Sequence, residues 1–133
     1  MHTVLLNESN HLPMDYLIIA LKLIVGISIL NVWLLRFSNS SPFRGGDAEN
    51  MKEEFEAYNL PENFMFLIGV SKVSLAIGLI ASIWFAELEF YCALGIAALM
   101  LGAVGMHVKI KDPLKKSFPA FTFLVLSLAI AFL

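Results

Sequence analysis

The sequence predicts an all-α polytopic membrane protein: a four-transmembrane-helix bundle with a short amphipathic helix in the first loop. The 133 residues are 59% hydrophobic and only 15% charged, whereas a soluble domain carries about 25% charged residues. The charged residues are also clustered, and they leave four long apolar runs. Each run is close to the ~20 residues that a helix needs to cross a bilayer. We interpret residues 1–133 as a single membrane domain.

The four predicted spans differ in how they begin and end. The first contains Lys22 in its outer half and ends at Trp33 and Arg36, which are typical interface anchors. Lys22 is expected to pair with Glu87 or Glu89 in the tight second connection. The fourth is near the lower length limit for a span, so tilt or local thinning of the bilayer is expected. The predicted spans are residues 16–35, 64–85, 90–108 and 117–133.

The second span carries a single charge, Lys72. At about 1.5 Å per residue, Lys72 lies roughly 12 Å inside the Phe64 end of the helix. A charge at that depth costs at least ~2.5 kcal/mol on insertion scales and normally faces the bundle or a wet cavity. Lys72 is therefore expected to face the other helices and to need a partner there.

Small residues predict close helix contacts along the second and third spans. They recur every three or four residues, a spacing that lets two helix backbones approach each other. The two stripes are Ser74, Gly78 and Ser82 in the second span, and Gly95, Ala98, Gly102 and Gly105 in the third.

The first connection is the longest polar segment, and it contains a predicted amphipathic helix over residues 48–58. Asp47 is its expected N-cap, and Met51, Phe55 and Tyr58 recur at helical spacing. The polar face is acidic, so anionic lipid repels it. The helix is therefore expected to dock on the protein as much as on the bilayer, and to pair with the lysines of the third connection.

Basic residues predict the orientation in the membrane. Seven lie in the first and third connections, and none lies in the N-terminal segment, the second connection or the C-terminus. The positive-inside rule then places both termini outside and the loops between spans 1–2 and 3–4 in the cytoplasm, across the inner or plasma membrane if the source is bacterial. The seven are Arg36, Arg44, Lys52, Lys109, Lys111, Lys115 and Lys116.

No catalytic or metal-binding motif is visible, and the sequence favours a non-enzymatic role. It lacks the signatures of zinc proteases, serine hydrolases, P-loops and dinucleotide-binding folds. The single cysteine excludes an internal disulfide. No basic stripe suggests nucleic-acid binding. The Gly45-Gly46 pair could form an anion-binding nest or an ordinary turn without a ligand.

The candidate binding residues form a polar group in the inner half of the predicted bundle. By helical rise they lie within roughly 12 Å of the cytoplasmic interface. Such a group could hydrogen-bond a quinone carbonyl or a lipid headgroup. The alternative is that these side chains satisfy one another and fix the helix packing. The candidate residues are Asn31, Arg36, Arg44, Lys72 and His107.

Three runs of residues resemble the DoxX-like family of small four-span membrane proteins. They are NVWLLRF, FRGGDAENMKEEFEAYNLPENF and GAVGMHVKIKDPLKKSFPAF, and the resemblance covers most of residues 20–130. The wider family includes subunits of quinone-linked sulfur oxidation, members of membrane oxidoreductase complexes and helpers of membrane-protein assembly. One departure is Ser71-Lys72, where such proteins often place an acid early in the second span.

The resemblance implies an accessory or assembly subunit of a membrane complex, redox- or quinone-linked, with no catalytic machinery of its own. Its expected partners are membrane lipids and either other membrane subunits or a second copy of the chain. The alternative is a small quinone- or lipid-binding protein that uses the polar group around Lys72. Quinone or bound lipid is the cofactor that either reading allows.

Overall fold

The computed structural model describes residues 8–133, with the side chains of residues 13–133. Every regular element in that part of the chain is helical, which confirms the all-α fold class. A π-helical segment, Asn31–Leu35, continues the first helix, and 3₁₀ turns at Ala86–Leu88 and Leu114–Ser117 precede the last two. The α-helices are α1 (Glu8–Leu30), α2 (Met51–Ala57), α3 (Glu62–Ala81), α4 (Glu89–Lys109) and α5 (Phe118–Phe132).

Four stretches are long and apolar enough to cross a membrane, in agreement with the four predicted spans. The largest difference is at the start, because α1 begins at Glu8, before the predicted start of the first span, and contains Pro13. Residues 1–7 lie outside the described residues. The four stretches are Pro13–Leu35, Glu62–Ala81, Ala86–Lys109 and Leu114–Phe132.

The four long helices form a ring in the order α1, α3, α4, α5. Helix α1 packs on α3 and α5, and α4 packs on the same two helices from the other side. Val25, Leu79, Ile96 and Ile130 meet at the centre of the ring and are almost completely buried. The outward faces carry large exposed apolar side chains, as expected for helices surrounded by lipid.

Helix α2 starts at Met51, later than predicted, because Asn50 rather than Asp47 caps it. The Asn50 side chain accepts a hydrogen bond of 2.8 Å from the backbone N–H of Glu53. This satisfies one of the amide groups that have no partner at a helix N-terminus. At the other end, Asn59 has a φ of 61° and reverses the chain.

The apolar face of α2 docks on the bundle, as its periodicity predicted. Met51, Phe55 and Tyr58 are all buried. Met51 and Phe55 form a small second core with Met65 of α3 and the indole of Trp33. Helix α2 therefore covers one end of the helical ring.

Candidate functional site

A cavity of about 410 Å³ lies where α2 covers the ring of helices. Small-molecule sites typically occupy about 300–1,000 Å³, so this volume is sufficient for one small ligand. Most of the lining side chains are apolar. The polar and charged ones are Arg36, Asn39, Ser41, Arg44, Glu54, Tyr58, Lys72 and His107.

The cavity exists because α3 and α4 separate along their length. At one end a Cβ added to Gly78 would lie 2.6 Å from the sulfur of Cys92, and a Cβ on Gly95 would lie 3.0 Å from Leu75. Added Cβ atoms at Gly102 and Gly105 would meet nothing within 4 Å. The predicted close contact is therefore correct for Gly78 and Gly95 and wrong for Gly102 and Gly105.

Lys72 lines this cavity from α3. Its ammonium nitrogen lies 5.6 Å from the ring centroid of Trp33, within cation–π range. Gly69 lets the indole approach α3, since a Cβ there would lie 2.6 Å from the Trp33 ring. Among the described residues, no acid or hydrogen-bond acceptor contacts the ammonium, so the predicted need of Lys72 for a polar partner is not met by this part of the chain.

The two arginines at the cavity differ in their partners. Arg44 is buried, and its Nη1 lies 2.9 Å from Oε1 of Glu54. It also donates to the carbonyls of Asn39 at 2.9 Å and Arg36 at 2.8 Å. Arg44 therefore organises the first loop and has little capacity left for a ligand. The side chain of Arg36 is exposed, and in the described chain its guanidinium has no hydrogen-bond partner.

Asn31, the remaining predicted residue of the first span, does not line the cavity. Its side chain is exposed, and its carbonyl accepts a hydrogen bond of 2.9 Å from the N–H of Arg36. This i to i+5 bond is the π-helical pattern, which changes the faces that successive residues occupy. Val32, Trp33 and Arg36 line the cavity instead, and the role of Asn31 as a ligand-binding residue stays a prediction.

His107 lies in the last turn of α4 and connects the first and third loops. Its Nδ1 is 2.7 Å from Oδ2 of Asp112, and its Nε2 is 3.3 Å from the hydroxyl of Tyr58. The Tyr58 hydroxyl in turn donates to Oε2 of Glu54 at 2.7 Å. Burial, and next the negative charge of Glu54, raise the pKa of the Tyr58 phenol above its ordinary value.

The sequence interpretation missed Glu54, Tyr58 and Asp112 as parts of this polar group. A signal was present, since Glu54 and Tyr58 are four residues apart on one helix face and Asp112 follows His107 in the third loop. What joins them is the contact between loops that are far apart in sequence.

The Gly45-Gly46 turn binds carboxylates of this chain. The N–H of Gly45 donates to Glu54 at 2.9 Å, and the N–H of Gly46 donates to Asp112 at 3.1 Å. Gly46 has a φ of 57°, a conformation that favours glycine. The amides that could have formed an anion-binding nest are therefore already occupied.

Lysines of the third loop also reach the first loop. Lys109 donates to the carbonyl of Tyr58 at 3.0 Å, and Lys116 donates to the carbonyl of Gly46. Lys116 further lies 3.9 Å from Asp112. The expected contact between the loops is present, but these lysines bind backbone carbonyls and Asp112, and the prediction that they pair with the glutamates of α2 is wrong.

Lys22 pairs with Glu89, one of the two partners that the sequence predicted. Its ammonium lies 2.8 Å from Oε1 of Glu89 and donates to the carbonyl of Ser82 at 3.2 Å. This buried pair lies outside the cavity. Lys72 differs from Lys22 because no carboxylate of the described chain reaches it.

Four apolar spans around a cavity that α2 covers at one end define a small helical membrane protein with an internal cavity. The sequence profile of the DoxX-like family matches residues 29–131. The chain belongs to the DoxX-like family, and the matched region contains every residue that lines the cavity. No curated protein and no solved structure matches the chain.

Proposed function

We propose that this protein binds a small amphiphilic molecule, a quinone or a lipid headgroup, in the cavity beside Lys72. The observation that carries the proposal is the ammonium of Lys72, which lines a largely apolar cavity and contacts no acid among the described residues. A charge within a membrane span costs at least ~2.5 kcal/mol on insertion scales and is normally retained at functional positions. A ligand that accepts a hydrogen bond there would offset part of that cost.

The shape and lining of the cavity also support a ligand with a polar group and an apolar body. Ile68, Leu99, Ala103 and Met106 line it with Lys72. Apolar pockets with a few convergent polar groups are typical of small-molecule sites, in which the polar groups fix the orientation of the ligand. The indole of Trp33 adds a flat aromatic surface beside the ammonium.

Replacing Lys72 tests this proposal. Lys72→Met keeps most of the side-chain length and removes the charge, and Lys52→Met is the matched control because Lys52 is an exposed lysine. Both variants and the wild type are extracted in mild detergent, and the retained quinones and lipids are identified by mass spectrometry. We expect loss of a retained species from Lys72→Met alone. Equal thermal stability with unchanged quinone and lipid content would contradict the proposal.

We also propose that the protein acts as an accessory or assembly subunit of a redox-linked membrane complex and has no catalytic machinery of its own. Membership of the DoxX-like family supports this role, since the family resemblance implies subunits of larger assemblies. Gentle extraction from the native membrane followed by identification of retained subunits tests it. A stoichiometric partner supports the role, and purification of this chain alone argues against it.

A further inference from the structure

The charges that line the cavity do not balance. Arg44 and Glu54 form an ion pair at 2.9 Å and neutralise each other. Arg36 and Lys72 also line the cavity, and in the described chain neither has an acidic partner within ion-pair distance. Two positive charges therefore remain without a carboxylate within ion-pair distance among residues 13–133.

Two acids at this end of the bundle, Glu54 and Asp112, already have partners. Glu54 accepts hydrogen bonds from Tyr58 and Gly45 in addition to its contact with Arg44. Asp112 contacts His107 at 2.7 Å and accepts from the N–H of Gly46. Neither carboxylate is free to turn toward Lys72 without breaking this network.

A neutral ligand would leave this imbalance in place. The carbonyl of a quinone can accept a hydrogen bond from the Lys72 ammonium, but it brings no opposite charge. A carboxylate or phosphate brings a hydrogen-bond acceptor and a negative charge. Hydrogen bonds between oppositely charged groups are stronger than those between neutral groups. Arg36 is suited to the same group because a guanidinium can bind two oxygens of an oxyanion at once.

The positive charges of Lys72 and Arg36 line the cavity from two different helices. Lys72 lies inside the α3 span, whereas Arg36 follows the π-helical segment at the end of the first span. Apolar side chains, Val32 and Ile68 among them, line the same cavity. A volume of about 410 Å³ lies in the lower half of the range for small-molecule sites, which suits a ligand with one apolar chain.

We infer that the ligand of this cavity is an anionic single-chain amphiphile, whose carboxylate or phosphate headgroup binds Lys72 and Arg36. This inference rests on the proposed binding function and specifies its ligand class. The apolar chain of the ligand lies against α3 and α4, where Gly102 leaves open space. The indole of Trp33 borders the headgroup site beside Lys72.

Trp33 makes this inference measurable by fluorescence. The chain has two tryptophans, and Trp84 lies outside the cavity and is 73% exposed. In a Trp84→Phe background, Trp33 is the only tryptophan and reports on its own surroundings. The full-length protein in nanodiscs of zwitterionic phospholipid is titrated separately with dodecanoic acid, dodecyl phosphate, dodecanol and a decyl-substituted benzoquinone.

We expect the two anions to change the Trp33 fluorescence at concentrations at least tenfold lower than dodecanol or the benzoquinone. Preference for one anion over the other assigns the headgroup as carboxylate or phosphate. Lys72→Met should remove the preference for anions, and Arg36→Gln should weaken it. Arg36→Gln keeps the test decisive if Lys72→Met does not fold, because Arg36 is exposed. Lys52→Met is the control for general membrane charge and should leave the preference unchanged.

The outcomes separate this inference from the proposed function. If dodecanol or the benzoquinone binds as tightly as the anions, the inference of an anionic ligand is wrong and the binding function stands. If none of the four probes changes the Trp33 fluorescence of the folded protein, both are wrong. If both Lys72→Met and Arg36→Gln keep an anion effect as large as that of the wild type, the anions act by accumulating in the bilayer. This result would also overturn the inference.

Discussion

The buried pair between Lys22 and Glu89 predicts an asymmetric response to mutation. Lys22 is completely buried, whereas the side chain of Glu89 is 19% exposed. Their charged atoms lie 2.8 Å apart, and among the residues whose side chains the structure describes the ammonium also donates to the carbonyl of Ser82 at 3.2 Å. Glu89→Gln therefore leaves a buried positive charge with neutral acceptors only, while Lys22→Met leaves a carboxylate that can still reach water.

The magnitudes follow from these environments. Breaking a buried ion pair by removing one partner costs about 3–5 kcal/mol, and replacing both partners with neutral groups is often close to neutral. We expect Glu89→Gln to lower the free energy of unfolding by about 3 kcal/mol, since the amide oxygen of glutamine still accepts one hydrogen bond. Lys22→Met should cost about 1–2 kcal/mol, near the penalty of an unsatisfied polar group. The double variant Lys22→Met/Glu89→Gln should lie within about 1 kcal/mol of the wild type.

The assay is unfolding in mixed micelles with increasing dodecyl sulfate, followed by circular dichroism. The matched control is the pair Lys52 and Glu62, whose charged atoms are 3.7 Å apart and whose side chains are 63% and 53% exposed. Neutralising Glu62 should change stability by less than about 1 kcal/mol. If Glu89→Gln is no more destabilising than Glu62→Gln, or if the double variant is the least stable of the set, the argument from burial is refuted.

Three further predictions concern orientation, pH and helix packing. In a background without the native cysteine, a cysteine that replaces Ser9 should react with an impermeant maleimide in intact cells, and a cysteine that replaces Lys115 should not. Labelling of position 115 alone would reverse the predicted topology. Because burial raises the pKa of Tyr58, its phenol ionises in the unfolded chain first. Stability should then be unaffected by this group below about pH 10 and fall by up to about 1.4 kcal/mol per pH unit above it; Tyr58→Phe should show a shallower decline in pH-dependent unfolding, and parallel curves would contradict this. Gly78→Ala places a methyl group 2.6 Å from a sulfur atom and should lower the free energy of unfolding by about 1–3 kcal/mol. Gly105→Ala enters open space and should be neutral or stabilising by up to about 1 kcal/mol. Equal shifts of the melting temperature for both variants would argue against the close contact between α3 and α4.

The sequence by itself determined the elements that depend on local composition. Apolar runs of the length of a bilayer gave the four spans, because a chain in lipid must satisfy its backbone hydrogen bonds within each helix. Helical spacing gave the buried face of α2, since Met51, Phe55 and Tyr58 share one side of that helix. A partner for Lys22 at Glu87 or Glu89 was also predictable, because a charge inside a membrane span often pairs with another charge, and the structure selects Glu89.

Only the tertiary structure decided which residues form the site. A stripe of small residues permits close packing but does not fix where two helices separate, so Gly78 contacts its neighbour while Gly102 lines the cavity. The π-helical turn changed the faces that residues occupy at the end of the first span, which placed Trp33 at the cavity and left Asn31 outside it. Tyr58 and His107 meet across two loops, and such a contact depends on helix rotation and loop docking, which are set by packing between distant segments.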